Sequence, residues 1–194
     1  RPRQQQSSRL ALSEIAQLAR HPVMWACCAL QVVRFSVVTA FVVWLPSFLV
    51  ADRGFSVQTA GFIVAMGAAL TAASNMAGGY VSDRLRNPPL VIGASFAALA
   101  CASVLLVTVS SMPLLLAVIA ISSIFLQFYF GPLFLVPVEV LGSRIAGTAT
   151  GAGNLCANIG GLLTAVAFGA VKDHTGSFTW SYCGIGALSL GGVA

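Results

Sequence analysis

The chain has 194 residues, 58% hydrophobic and only 8% charged, with ten Lys and Arg against five Asp and Glu. Soluble domains carry about 25% charged residues, so a mean hydropathy of +0.91 leaves too little polar surface for a water-soluble globule. Charge falls in short islands between long apolar stretches, so the basic balance is a membrane-topology signal and no nucleic-acid partner is expected.

Residues 1–21 open with the polar run RPRQQQSS, which reads as a linker. In Ser8–Arg20 the apolar Leu12, Ile15 and Leu18 recur every third residue, predicting a short amphipathic helix along a membrane surface. No signal peptide is visible, and the chain reads as a piece of something longer. A bilayer core of about 30 Å needs about 20 helical residues. Six stretches meet or approach that length: 22–50, 57–81, 89–110, 113–137, 147–171 and 178–194, the last cut short. The expected organisation is therefore a cytoplasmic linker and surface helix over 1–21, then an all-α, six-helix transmembrane unit over 22–194.

Pro22 suits the first turn of the first span, and Trp44-Leu45-Pro46 near its far end pairs an interfacial Trp with a helix-bending Pro. With the N-terminus inside, the inner segments hold Arg1, Arg3, Arg9, Arg20, Arg84, Arg86 and Arg144, and the outer loops hold only Arg53 and Lys172. That bias places both ends at the cytoplasmic face of an inner (plasma) membrane. The short connections make neighbouring helices antiparallel.

Cys27, Cys28, Cys101, Cys156 and Cys183 all lie in apolar stretches and read as packing residues. His21 and His174 fall at opposite membrane faces, so they share neither a metal nor a nucleophile. No metal, no cofactor and no enzymatic activity are expected. Gly78 and Gly79 close the second span, and Gly147, Gly151, Gly160 and Gly161 punctuate the fifth. Small residues at such spacing let helices approach closely.

Arg34 is the anomaly. It lies about 17 Å into the first span, near the midplane, where an Arg costs about 2.5–3.5 kcal/mol on insertion scales. Asp52, Asp83, Glu139 and Asp173 all sit near interfaces, so Arg34 calls for an acid from elsewhere or an anionic ligand. Gln31, one turn earlier on the same face, makes a plausible pair with it for holding a carboxylate or phosphate. The alternative is an Arg pinned to backbone carbonyls or to another helix. Asn154 and Asn158, four apart in the fifth span, either line a cavity or bond a neighbouring helix. Gln127 and Tyr129 in the fourth span are two apart and cannot both point squarely at one cavity. Asn75 reads as a helix–helix contact.

The stretch Gly79-Tyr80-Val81-Ser82-Asp83-Arg84-Leu85-Arg86, read as the loop after the second span, resembles the loop signature of the major facilitator superfamily. Gly79, Asp83 and Arg84 match it, whereas Arg86 stands where the family has a second Gly and Asn87 where it has a basic residue. Trp44–Leu49 with Gly54-Phe55-Ser56, Pro137-Val138-Glu139 leading to Gly147–Gly151 and Asn154, and Lys172–Phe178 are similar to the family's seventh helix, its link from the tenth to the eleventh, and its last outer loop. The last is closest to the anion:cation symporter branch. The resemblance implies helices seven to twelve, built as two inverted three-helix repeats and forming half of a twelve-helix transporter. It implies substrate contacts from Arg34, Gln31, Gln127, Asn154 and Asn158, and a cytoplasmic gate around Gly79, Asp83, Arg84, Glu139 and Arg144.

The expected function is secondary active transport of a small organic anion such as a carboxylate. Expected partners are the bilayer, that substrate, and a covalent N-terminal six-helix half or a second copy. A carrier of a neutral solute, or a non-transporting scaffold or sensor, is the alternative. No carboxylate lies at depth in this chain, so any coupled proton would be carried elsewhere.

Overall fold

The computed structural model describes residues 22–134 and 146–193 and is all-α over them. The expected surface helix over 8–20, and Glu139 and Arg144, lie outside the described residues.

The first span is continuous from Pro22 to Ala51 but changes gauge on the way. Helix α1 (Pro22–Val38) widens into a π-type segment (Thr39–Trp44) and tightens again as α2 (Leu45–Ala51). Pro46 explains the change: it has no N–H for the carbonyl one turn back, and its ring crowds that turn. Helix α3 (Val57–Leu85) starts at Ser56, whose hydroxyl accepts from the Thr59 N–H at 3.1 Å. Helix α4 (Pro88–Thr108) follows a two-residue break at Arg86 and Asn87. Asn87 accepts from the Leu90 N–H at 3.2 Å, and Pro88 and Pro89 fill positions that need no donor. Helix α5 (Met112–Phe128) begins with Pro113, and helical backbone resumes after Tyr129 over 130–134. Helices α6 (Ala146–Thr175) and α7 (Thr179–Gly191) complete the bundle.

Among the described residues, five spans are long and apolar enough to cross a membrane: Pro22–Ala51, Val57–Leu85, Pro88–Thr108, Met112–Phe134 and Gly147–Thr175. The sixth helix, α7, is apolar and has 13 residues. The protein is a polytopic membrane protein. Two helices outrun their expected ends by four residues each. The signature from Gly79 to Leu85 is therefore the end of α3 rather than a loop, and Lys172, Asp173 and His174 lie on α6.

Helix pairing is regular: α1 packs mainly on α6, α3 on α5, and α4 on α7 and α5. Exchanging the first three spans with the last three turns the first pairing into the second and leaves α4–α7 unchanged. Two related three-helix units have this pattern.

Without a hydrophobic effect between helices in lipid, close backbone approach carries the association. Helix α3 buries a single seam of small residues, Ala60, Gly67, Ser74, Gly78 and Ser82. A Cβ on Gly78 would overlap the Phe128 carbonyl, and one on Gly67 would sit 2.7 Å from the Ser123 hydroxyl oxygen. Thr71 donates to the Ser123 carbonyl at 3.0 Å, and Ser74 donates to that of Ile124. On α6, Gly160 meets Val32 and Gly161 meets the Phe35 ring, whereas Gly147 and Gly151 face open space. The glycine expectation thus holds for Gly78, Gly160 and Gly161; Gly79 lies beside Gly131, and a Cβ on Gly147 or Gly151 would meet nothing among the described residues.

The far end of the first span is held by an aromatic cluster. Trp44 stacks on Phe168 at 6.0 Å between centroids and leans on Phe178 at 5.6 Å, so it packs inward rather than anchoring at a lipid interface. Phe48 meets Tyr182 at 5.1 Å, and the Tyr182 hydroxyl donates to the Ala40 carbonyl at 3.0 Å. That carbonyl lies in the π-type segment, where wider winding loosens the helix's own ladder.

Candidate functional site

Arg34 lies on α1, twelve residues past Pro22, and is 5% exposed; Gln31 is 4% exposed. One helical turn separates them, and Arg34 Nε donates to Gln31 Oε1 at 2.7 Å. The guanidinium carbon lies 5.2 Å from the ring centre of Phe130, 5.5 Å from Phe35 and 5.8 Å from Phe134. Rings at these distances attract a cation by about 0.5–2 kcal/mol each and offset part of its burial cost. They do not neutralise it. Among the described residues no carboxylate pairs with Arg34, and Gln31 is its only hydrogen-bond partner.

The end of α5 closes on this group. Tyr129 is fully buried with its ring 4.6 Å from that of Phe96, and its hydroxyl has no partner among the described residues. Gln127 Oε1 is likewise buried and unpartnered. A buried unpaired polar atom costs about 1–3 kcal/mol, so the Tyr129 hydroxyl and the Gln127 carbonyl oxygen are each short of a ligand among the described residues. Gly153 on α6 faces Gln31, with room for only an ordinary contact at 3.6 Å.

The arrangement thus brings Gln31 and Arg34 together and sets Phe130 and Phe134, just past the end of α5, against the guanidinium. Asn154 and Asn158 stand on the exposed side of α6, and Asn158 Nδ2 donates to the Asn154 carbonyl at 2.8 Å. Among the described residues the Asn158 side chain bonds within its own helix and neither Asn side chain bonds a neighbouring one. Phe35, Phe130, Phe134 and Tyr129 were not foreseen as part of the site. The aromatic run Phe128-Tyr129-Phe130 beside Gln127 was the available signal.

At one end of the bundle, Asp83 and Arg84 are exposed on the last turn of α3 and make no ion pair or hydrogen bond among the described residues. Arg86 takes φ +50°, the left-handed conformation that ends many helices, and its N–H bonds the Ser82 carbonyl at 2.9 Å. At the opposite end, Asp52 accepts from Lys172 Nζ at 2.7 Å, from the Phe178 N–H at 2.9 Å and from Ser177 Oγ at 3.0 Å. Burial alone would raise the Asp52 carboxyl. The bonds from Lys172, the Phe178 backbone and Ser177 outweigh it and hold the group below the usual carboxylate range. No group of three His, Cys, Asp or Glu among the described residues could hold a metal ion.

Residues 1–165 match the family model described as Major Facilitator Superfamily. A "Probable galactarate/D-glucarate transporter" of Bacillus subtilis (strain 168) is 27% identical over 164 residues, 79% of this chain and 35% of its own length. A protein of the same description from Escherichia coli (strain K12) is 29% identical over 161 residues, 76% of this chain and 35% of its own. A "Probable sulfoacetate transporter" of Cupriavidus necator is 26% identical over 158 residues, 76% of this chain and 36% of its own. The chain therefore spans about a third of the length of these curated relatives.

Proposed function

Because this chain belongs to the Major Facilitator Superfamily, we propose that it forms the C-terminal six-helix half of a secondary transporter for a small organic anion. The family is one of membrane transporters, not enzymes. Arg34 is the substrate's charge partner, Gln31 holds the guanidinium in register, and Gln127, Asn154 and Asn158 supply further polar contacts. The observation that carries this reading is a cation 5% exposed at mid-span, held by one amide and three rings and paired with no acid among the described residues. An Arg is too costly at that depth to serve as filler. Galactarate, D-glucarate and sulfoacetate, named for the relatives, each carry two acidic groups on a short carbon frame. A guanidinium fork matches such a group with two parallel hydrogen bonds.

An N-terminal half completes the cavity, and the two rock about the site. Gly79, Asp83, Arg84, Glu139 and Arg144 form the cytoplasmic gate, in an inner (plasma) membrane with both ends of the chain inside. Residues 1–21 form a linker and surface helix ahead of the six spans, which occupy 22–194. The kinship to the anion:cation symporter branch belongs to the same proposal.

The test is uptake by proteoliposomes holding the full-length protein, with labelled galactarate, sulfoacetate, inorganic phosphate and neutral galactose compared. Selective entry of the carboxylates supports the reading. Entry of galactose alone would replace it with that of a neutral-solute carrier.

A further inference from the structure

Beyond the transport site, we propose that the Asp52–Arg53 end of the bundle binds a phospholipid. Its phosphate sits on Arg53, and one acyl chain fills the groove between α3 and α5. That groove is about 490 Å³ and almost wholly apolar, walled by Phe62, Met66 and Leu70 of α3 and Met112, Leu116 and Ile119 of α5. From Thr59 to Leu70 it follows α3 for eleven residues, about 17 Å of helix. One leaflet of a bilayer core is about 15 Å deep, so the groove matches a single acyl layer.

The headgroup end supplies charge. Phe55 and Met112 wall both the groove and a second pocket, of about 230 Å³, which also contains Asp52, Arg53 and Ser110. Arg53 is fixed there: Nη2 donates to the Leu106 carbonyl at 2.5 Å, and the guanidinium lies 5.3 Å over the Phe48 ring. Its Nε is buried without a partner among the described residues. Asp52, though adjacent, does not neutralise it, because both carboxylate oxygens are committed to Lys172, Ser177 and the Phe178 N–H. A fixed cation with no acid of its own among the described residues, set at the mouth of an apolar slot one leaflet deep, complements a phosphodiester carrying an acyl tail.

The experiment is photolabelling of the full chain in maltoside micelles, which contain no phosphate. The probe is phosphatidylglycerol with a diazirine on one acyl chain, compared with a diacylglycerol bearing the same chain. The phospholipid should label peptides covering 57–70 and 112–120 at least five-fold more strongly than the diacylglycerol. Arg53→Gln should abolish that preference, and Leu70→Trp, which fills the groove and leaves Arg53, should cut labelling by both probes. Millimolar inorganic phosphate should leave the labelling unchanged. Equal labelling of the wild type by both probes would overturn the proposal, as would a preference that survives Arg53→Gln or displacement by free phosphate. If Arg53→Gln fails to fold, the comparison of the two probes on the wild type decides.

Discussion

Gly160 lies so close to the backbone of Val32 that a Cβ there would stand 3.0 Å from the Val32 carbonyl oxygen. The span carrying Arg34 is thus clamped to α6 at backbone distance, and the nearest side-chain atom, Val32 Cγ1 at 2.8 Å, belongs to a stiff β-branched residue. Gly160→Ala should cost about 1–3 kcal/mol through overpacking, reduced by the better helix propensity of Ala. Gly151→Ala, with nothing within 4 Å of the new methyl, should be neutral or slightly stabilising. Melting in detergent measures both, and a larger loss at Gly151 would contradict this packing.

Arg86 ends α3 at φ +50°, a conformation that Gly adopts without strain. Arg86→Gly should therefore stabilise the α3–α4 turn by about 1 kcal/mol, raising the apparent melting temperature by about 2–4 °C. Arg86→Ala should give none of that gain. The family signature has Gly at this place, and the backbone supplies the physical reason.

Asp52 ties the end of the first span to the α6–α7 turn, and its carboxyl is held below its ordinary value. A depressed folded-state pKa contributes stability above the unfolded value, about 3.9, and loses it as pH falls through the folded one. The wild type should keep that contribution from pH 8 to pH 5 and shed it below about pH 4. Asp52→Asn should melt lower at neutral pH and show a smaller acid loss. A pH series of melting curves on the two proteins checks the sign.

Much of this architecture was legible beforehand, for local reasons. Long apolar runs marked the spans, and Asn87-Pro88-Pro89 carries its own cap and first-turn prolines. The features that escaped are non-local. Asp52 and Lys172 are 120 residues apart, and Phe130 and Phe134 reach Arg34 from another span. Helical periodicity reports which face is apolar, not which distant ring lies over a cation. The end of α3 reads as loop in the sequence because its polar residues, Ser82, Asp83 and Arg84, mark the edge of the apolar core and not the end of the helix.

Gln31 holds one edge of the Arg34 guanidinium and is not itself charged. Gln31→Leu should therefore raise the substrate concentration for half-maximal uptake by about ten-fold, the worth of a hydrogen bond to a charged group. Maximal uptake should fall less. Gln31→Glu, which supplies a competing carboxylate at 2.7 Å reach, should be more damaging than Gln31→Leu. The reverse order would remove Gln31 from the site.

The central claim is that Arg34 is the counter-charge of an anionic substrate, and galactarate uptake by the full-length protein carrying Arg34→Gln or Arg34→Lys tests it most directly. Removing one partner of a buried charged pair costs about 2–5 kcal/mol. Uptake by Arg34→Gln should thus fall at least about 30-fold, with Arg34→Lys retaining part of it through its point charge. Wild-type uptake by a well-folded Arg34→Gln protein would contradict the account and leave Arg34 as a structural pin among three aromatic rings.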